Sequence, residues 1–169
     1  MYSFMGKNQV VYLQKISEKG NEIARKNGLF YAFDLFIDTR RSEGTGAIGS
    51  IHRQECERYK IIKIGIYSDK VMADEDAILM TIFHEYCHFL LFYTTKKTDW
   101  EYAGIMTKNK IPQIFGSNLD PRFGEENFCE TYSHYINGIS LVDPEVEKFF
   151  IFLNNSAYER LGKTFQLLN

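Results

Sequence analysis

The order of patterns along this chain predicts an α+β domain. Three observations carry the prediction. The first stretch has helical apolar spacing, β-rich runs broken by a polar turn follow it, and the second half carries mainly helical patterns. The 169 residues are enough for one domain with its own core. A hydrophobic share of 44% with 15% aromatic residues argues against disorder. No repeat, low-complexity tract or linker interrupts the chain, so a single domain over 1–169 is expected.

Asn8 to Asn27 reads as the first helix, with Val10, Val11, Leu13, Ile16, Ile23 and Ala24 on a rough stripe and Gly28 as a stop. Gly20 inside it is the one discordant residue. Leu29 to Ile37 is aromatic and β-prone, a strand. Arg40 to Thr45 is a polar turn, and Ala47 to His52 a short second strand. Arg58 to Tyr67 reads as a third, with Ile62, Ile64 and Ile66 on one face and Lys63 and Gly65 on the other. Asp74 suits an N-cap for a helix running to Tyr93 that is apolar nearly all round, the mark of a central buried helix. Thr94 to Pro121 reads mostly as loop. Glu125 to Asn137 is the next helix, closed by Gly138. Asp143-Pro144-Glu145 opens another that runs to about Leu153, and a last helix covers Ser156 to Leu168.

The net charge is -2 and no basic run occurs, so nucleic acid is not an expected partner. The longest apolar stretch, Ile78 to Tyr93, is too short and too polar to span a bilayer, so no membrane partner is expected either. Three cysteines without close spacing, Cys56, Cys87 and Cys129, indicate neither a disulfide framework nor a zinc clip. Met1 to Lys7 lacks a positive region followed by an apolar one. The expected location is therefore the cytoplasm as synthesised, with delivery to another cell or compartment left open.

His84-Glu85-Tyr86-Cys87-His88 decides how the chain should be read. On a helix, residues i and i+4 lie on one face, so the two imidazoles can hold one metal ion from one side. Glu85 is turned about 100° from His84 and sits beside the ion. A carboxylate there can take a proton from a water that the metal has acidified. A catalytic zinc site usually has a third protein ligand. Leu91 and Thr94 occupy the glycine and histidine slots of the extended three-histidine motif, which excludes that class. Asp99 and Asp120 remain open but lie in irregular stretches. Glu126 and Glu130 are better placed, at i and i+4 on a later helix with His134 one turn on. One carboxylate would bind the metal and its neighbour would orient a histidine. Phe128, Cys129 and Tyr132 would face the core between the two helices.

His84-Glu85-x-x-His88 followed by Glu126-Asn-Phe-Cys-Glu130-Thr-Tyr132 resembles the glutamate-zincin metallopeptidases, over about a third of the chain. The resemblance is closest to members whose second helix reads E-x-F-A-E-x-F. It implies a zincin-like domain: an N-terminal helix, a small, twisted, mostly antiparallel sheet, a central metal helix and a C-terminal helical half. It implies one zinc ion held by His84, His88 and Glu126, with Glu85 as general base and Glu130 as supporting carboxylate. The family places a tyrosine shortly before the ligand helix to stabilise the oxyanion. Here Phe123-Gly124 stands there, which leaves Tyr102, His134 and Tyr135 as candidates for that role. The Ala slot of the family pattern holds Cys129.

The expected function is zinc-dependent cleavage of a protein or peptide substrate. The substrate strand would add to a sheet edge, at Ala47 to His52 or Arg58 to Tyr67. The competing expectation, favoured by the phenylalanine, is a zinc-containing binding or regulatory module without catalysis. His52, at a strand end, has no evident role in the sequence.

Overall fold

The computed structural model describes residues 4–94, 124–142 and 144–169. The predicted loop with Asp99, Tyr102 and Asp120 lies outside them, as do Phe123 and the Asp143 cap. The element order is α1 (Phe4–Lys26), β1 (Phe33–Asp38), β2 (Gly49–Ile51), α2 (Arg53–Tyr59), β3 (Ile62–Tyr67), α3 (Glu75–Thr94), α4 (Gly124–Ile136) and α5 (Pro144–Leu161), with a 3₁₀ turn at Gly162–Thr164. This is an α+β arrangement with a small mixed sheet. No described helix is long and apolar enough to cross a membrane.

α3 is the axis of the molecule. Ile78, Leu79, Ile82, Phe83, Tyr86, Cys87, Phe89, Leu90 and Leu91 are all buried. Such a helix needs cover on every side, and α1, α4, α5 and the sheet supply it. Gly20 is the price of the α1 contact: a Cβ there would lie 3.1 Å from Ile82 Cδ1, so its absence lets the two helices approach. α1 is also tied to the sheet, because the Asn21 side chain pairs with both backbone groups of Phe33.

The sheet order is β1-β3-β2. β1 and β3 run parallel from Phe33↔Ile62 to Asp38↔Tyr67, and β2 pairs antiparallel with β3. The expected mostly antiparallel sheet is thus corrected, since its longer pair is parallel. The physical reason is the connection: residues 39–61 contain β2 and α2, enough chain for a crossover that returns β3 in the direction of β1. β3 is paired on both sides, which rules out Arg58 to Tyr67 as an edge for an added strand.

Other boundaries shift for identifiable reasons. The run from Leu29 is extended as expected, but only its second half joins the sheet. Its first half pairs with the C-terminus, through the Tyr31↔Leu167 bridge and the Ala32 N–H to Gln166 bond of 3.1 Å. Arg58 and Tyr59 belong to helix α2, not to a strand. That helix ends at Lys60, which takes φ +54°. The two helices expected at the C-terminus are one. Asn154, read as part of a break, is buried within α5 and satisfied there: Tyr86 Oη donates to its Oδ1 (3.2 Å), and its Nδ2 donates to Tyr132 Oη (3.2 Å).

Candidate metal centre

His84 and His88 lie one turn apart on α3, with their Nε2 atoms 3.1 Å from each other. α4 crosses above them because its own apolar face must be buried. Phe128, Cys129 and Tyr132 pack into the core as expected, and Ser133 Oγ donates to the Met80 carbonyl at 2.5 Å. That packing turns the acidic face of α4 toward the histidines. Glu126 bridges them, with Oε2 3.1 Å from His84 Nε2 and Oε1 3.1 Å from His88 Nε2. Glu130 Oε2 lies 3.3 Å from His84 Nδ1, and Glu125 Oε1 lies 2.6 Å from His88 Nδ1. His134 Nε2 sits 3.1 Å from the other Glu130 oxygen.

These contacts decide what the site can hold. Each histidine has a carboxylate at Nδ1, so Nδ1 carries a proton and donates it. In the neutral rings both Nε2 lone pairs then point at each other and at Glu126. Acceptors converging with no donor among them require a cation or extra protons. Without a metal, protons fill the gap. Burial alone would lower the His84 pKa, but its bonds to Glu126 and Glu130 outweigh burial and raise it to about 9. His88 is raised as well, by Cys129, Glu125 and Glu126 against burial. Glu126 is held well below the usual carboxylate range by the two imidazoles. The separations of 3.1 Å are near the ~3.3 Å between corners of a tetrahedron with bonds of 2.0–2.1 Å, the lengths for zinc with nitrogen and oxygen ligands. The donor set is of a kind that can hold a metal ion.

Two carboxylates compete for the third position. Glu85 belongs with the histidines to a group whose ligand atoms all lie within 4.8 Å of one another. Its Oε2, however, accepts the Ile51 backbone N–H at 2.9 Å. Glu126, by contrast, touches the Nε2 atoms of both histidines. Burial raises the Glu85 pKa, and the two histidines and the Ile51 N–H act against it. A raised carboxylate beside a metal is suited to proton transfer.

A cleft of about 600 Å³ opens on one side of His84 and Glu85. Thr45 to Gly49 form one wall, and Ala77, Met80, Thr81, His134 and Ile139 line the rest. β2 bonds to β3 through Ile48 and His52, so the peptide groups of Gly49 and Ile51 face the outer edge.

The structure thus brings His84, Glu85, His88, Glu126, Glu130 and His134 together. Tyr135 is not among them: its hydroxyl donates to Glu147 on α5, and its ring rests on Phe150. Tyr102 lies outside the described residues. Glu125 was missed as a support for His88. The i, i+4 stripe did not reveal it, because Glu125 is turned about 140° around the helix from Glu130; only the packing of α4 across α3 brings it to His88. Comparison with protein-family models yields no match, and neither do comparisons with curated proteins and with solved structures.

Proposed function

We propose that this protein is a zinc-dependent endopeptidase. The observation that carries the reading is the convergence of His84 Nε2, His88 Nε2 and the Glu126 carboxylate, with Glu85 held beside them by the Ile51 amide. The resemblance to the glutamate-zincins supports the same assignment, with His84, His88 and Glu126 as ligands.

Zinc, when bound, supplies a Lewis acid that acidifies water and polarises a carbonyl. Glu85 accepts the proton of the attacking water and returns it to the leaving amine. The Ile51 N–H keeps one Glu85 oxygen occupied and leaves the other for this transfer. Glu130 and Glu125 orient the two imidazoles through Nδ1. The substrate lies extended along the outer edge of β2, where Gly49 offers its peptide groups. His134 is the cleft-lining candidate for stabilising the oxyanion, since Tyr135 is turned toward α5.

The test is incubation of the zinc-loaded protein with a proteome and mass-spectrometric mapping of new termini. New termini should appear with the parent and vanish with a chelator. Glu85→Gln should keep its zinc and lose cleavage. A Gln variant that cleaves as fast as the parent removes Glu85 from the mechanism. A zinc-loaded parent that produces no new termini points instead to a binding module.

A further inference from the structure

Asp38 ends β1 and His52 follows β2, the two outer strands, and a bond joins their side chains over the central strand. His52 Nε2 lies 2.8 Å from Asp38 Oδ2. The residue between them is Gly65 of β3. A Cβ there would come 2.8 Å from His52 Nε2 and 3.1 Å from Asp38 Cβ, so a side chain would push the pair apart.

Asp38 is 5% exposed and firmly placed. The Arg40 guanidinium binds both its oxygens, and the Arg40 backbone N–H donates to Oδ1 at 2.9 Å. Asp38 is ionised, because those bonds to Arg40 lower its pKa to about 2 against burial. An ionised carboxylate only accepts, so His52 Nε2 donates to Asp38; Arg40 Nη2, 3.0 Å from the same ring nitrogen, gives its hydrogen to Asp38 Oδ2 instead. Phe36 packs edge-on against the His52 ring and limits its rotation. β2 itself is only three residues long and paired on one side, so its ladder alone holds it weakly. The peptide of Ile51, one residue before His52, is the group that holds Glu85.

We propose that the Asp38–His52 bond is a strut that fixes the end of β2 and thereby positions Glu85. His52 and Asp38 are positioning residues: they act through the Ile51 amide and do not touch the reacting atoms. The proposal rests on the assignment of Glu85 as general base. It extends that assignment to the opposite face of the sheet.

The experiment uses the zinc-loaded full chain and two readouts, hydrogen exchange at the Ile51 amide and kcat on a peptide cleaved by the parent. In His52→Asn, whose side chain is too short to reach Asp38, Ile51 exchange should rise and kcat should fall, each about tenfold, with zinc stoichiometry unchanged. His52→Gln, whose amide nitrogen can donate to Asp38, should recover most of both. Gly65→Ala should behave like His52→Asn. Ile51 exchange and kcat equal to the parent in His52→Asn and Gly65→Ala overturn the strut. If the parent cleaves no peptide, the endopeptidase reading fails, and Ile51 exchange alone decides whether the strut holds β2.

Discussion

Glu125 Oε1 lies 2.6 Å from His88 Nδ1, on the side of the ring away from His84. With Glu130 at His84 Nδ1, it gives each imidazole its own carboxylate from a single helix. Glu125→Gln should therefore weaken zinc binding about 10- to 100-fold, measured by competition with a chelator. Its side chain is 42% exposed, so the melting temperature should barely move. Unchanged zinc affinity would make Glu125 an ordinary surface ion partner.

Zinc binding should release protons at pH 7. The metal-free His84 is raised from 6.5 to about 9, so it is charged at neutral pH, yet a ligand imidazole must be neutral. With His88 raised too, the release should approach about two protons per zinc, read from the buffer dependence of the calorimetric heat. The same shift sets the stability of the metal-free protein. A folded pKa above the unfolded one stabilises fully below pH 6.5, and that contribution disappears as pH rises through about 9. A metal-free denaturation midpoint that stays level over this window would contradict the shift.

Asp38 has the opposite sign. Its pKa is lowered from 3.8 to about 2, chiefly by Arg40, with burial acting against. Its stabilisation is present above pH 3.8 and lost as pH falls through 2. Asp38→Asn should cost roughly 2 kcal/mol at pH 6, and the gap from the parent should narrow below pH 3.8 and close only below about pH 2. Urea midpoints across that range measure it. A gap that stays constant with pH would mean that the charge contributes nothing.

Asn154 joins three helices through buried hydroxyls, those of Tyr86 on α3 and Tyr132 on α4. Asn154→Ala leaves both hydroxyls without this partner and opens a small cavity. A loss of about 2–4 kcal/mol is expected from chemical denaturation. A loss under ~0.5 kcal/mol would show that the tyrosines find other partners. Because Tyr86 and Tyr132 share their helices with His84 and Glu126, zinc affinity should fall alongside stability.

Local patterns were legible wherever neighbours in sequence share one face. The spacing of His84 and His88, the buried circumference of α3 and the alternation Ile62, Ile64, Ile66 all follow from helical or strand periodicity. The helix carrying Glu126 and Glu130 was legible for the same reason. The Asn154 polar run was misread as a break because its partners, Tyr86 and Tyr132, are distant in sequence. The parallel pairing of β1 with β3 was misread because strand direction depends on the path of residues 39–61, not on the composition of either strand.

By itself, then, the sequence determined which side chains lie on each helix and strand face, and so which atoms were available to bind a metal. Tertiary structure decided which of those faces meet. The contacts from α4 to both imidazoles, from Ile51 to Glu85 and from Asp38 to His52 over Gly65 all join separate elements. Periodicity is a property of one segment, whereas these contacts arise from burying several segments against one another at once.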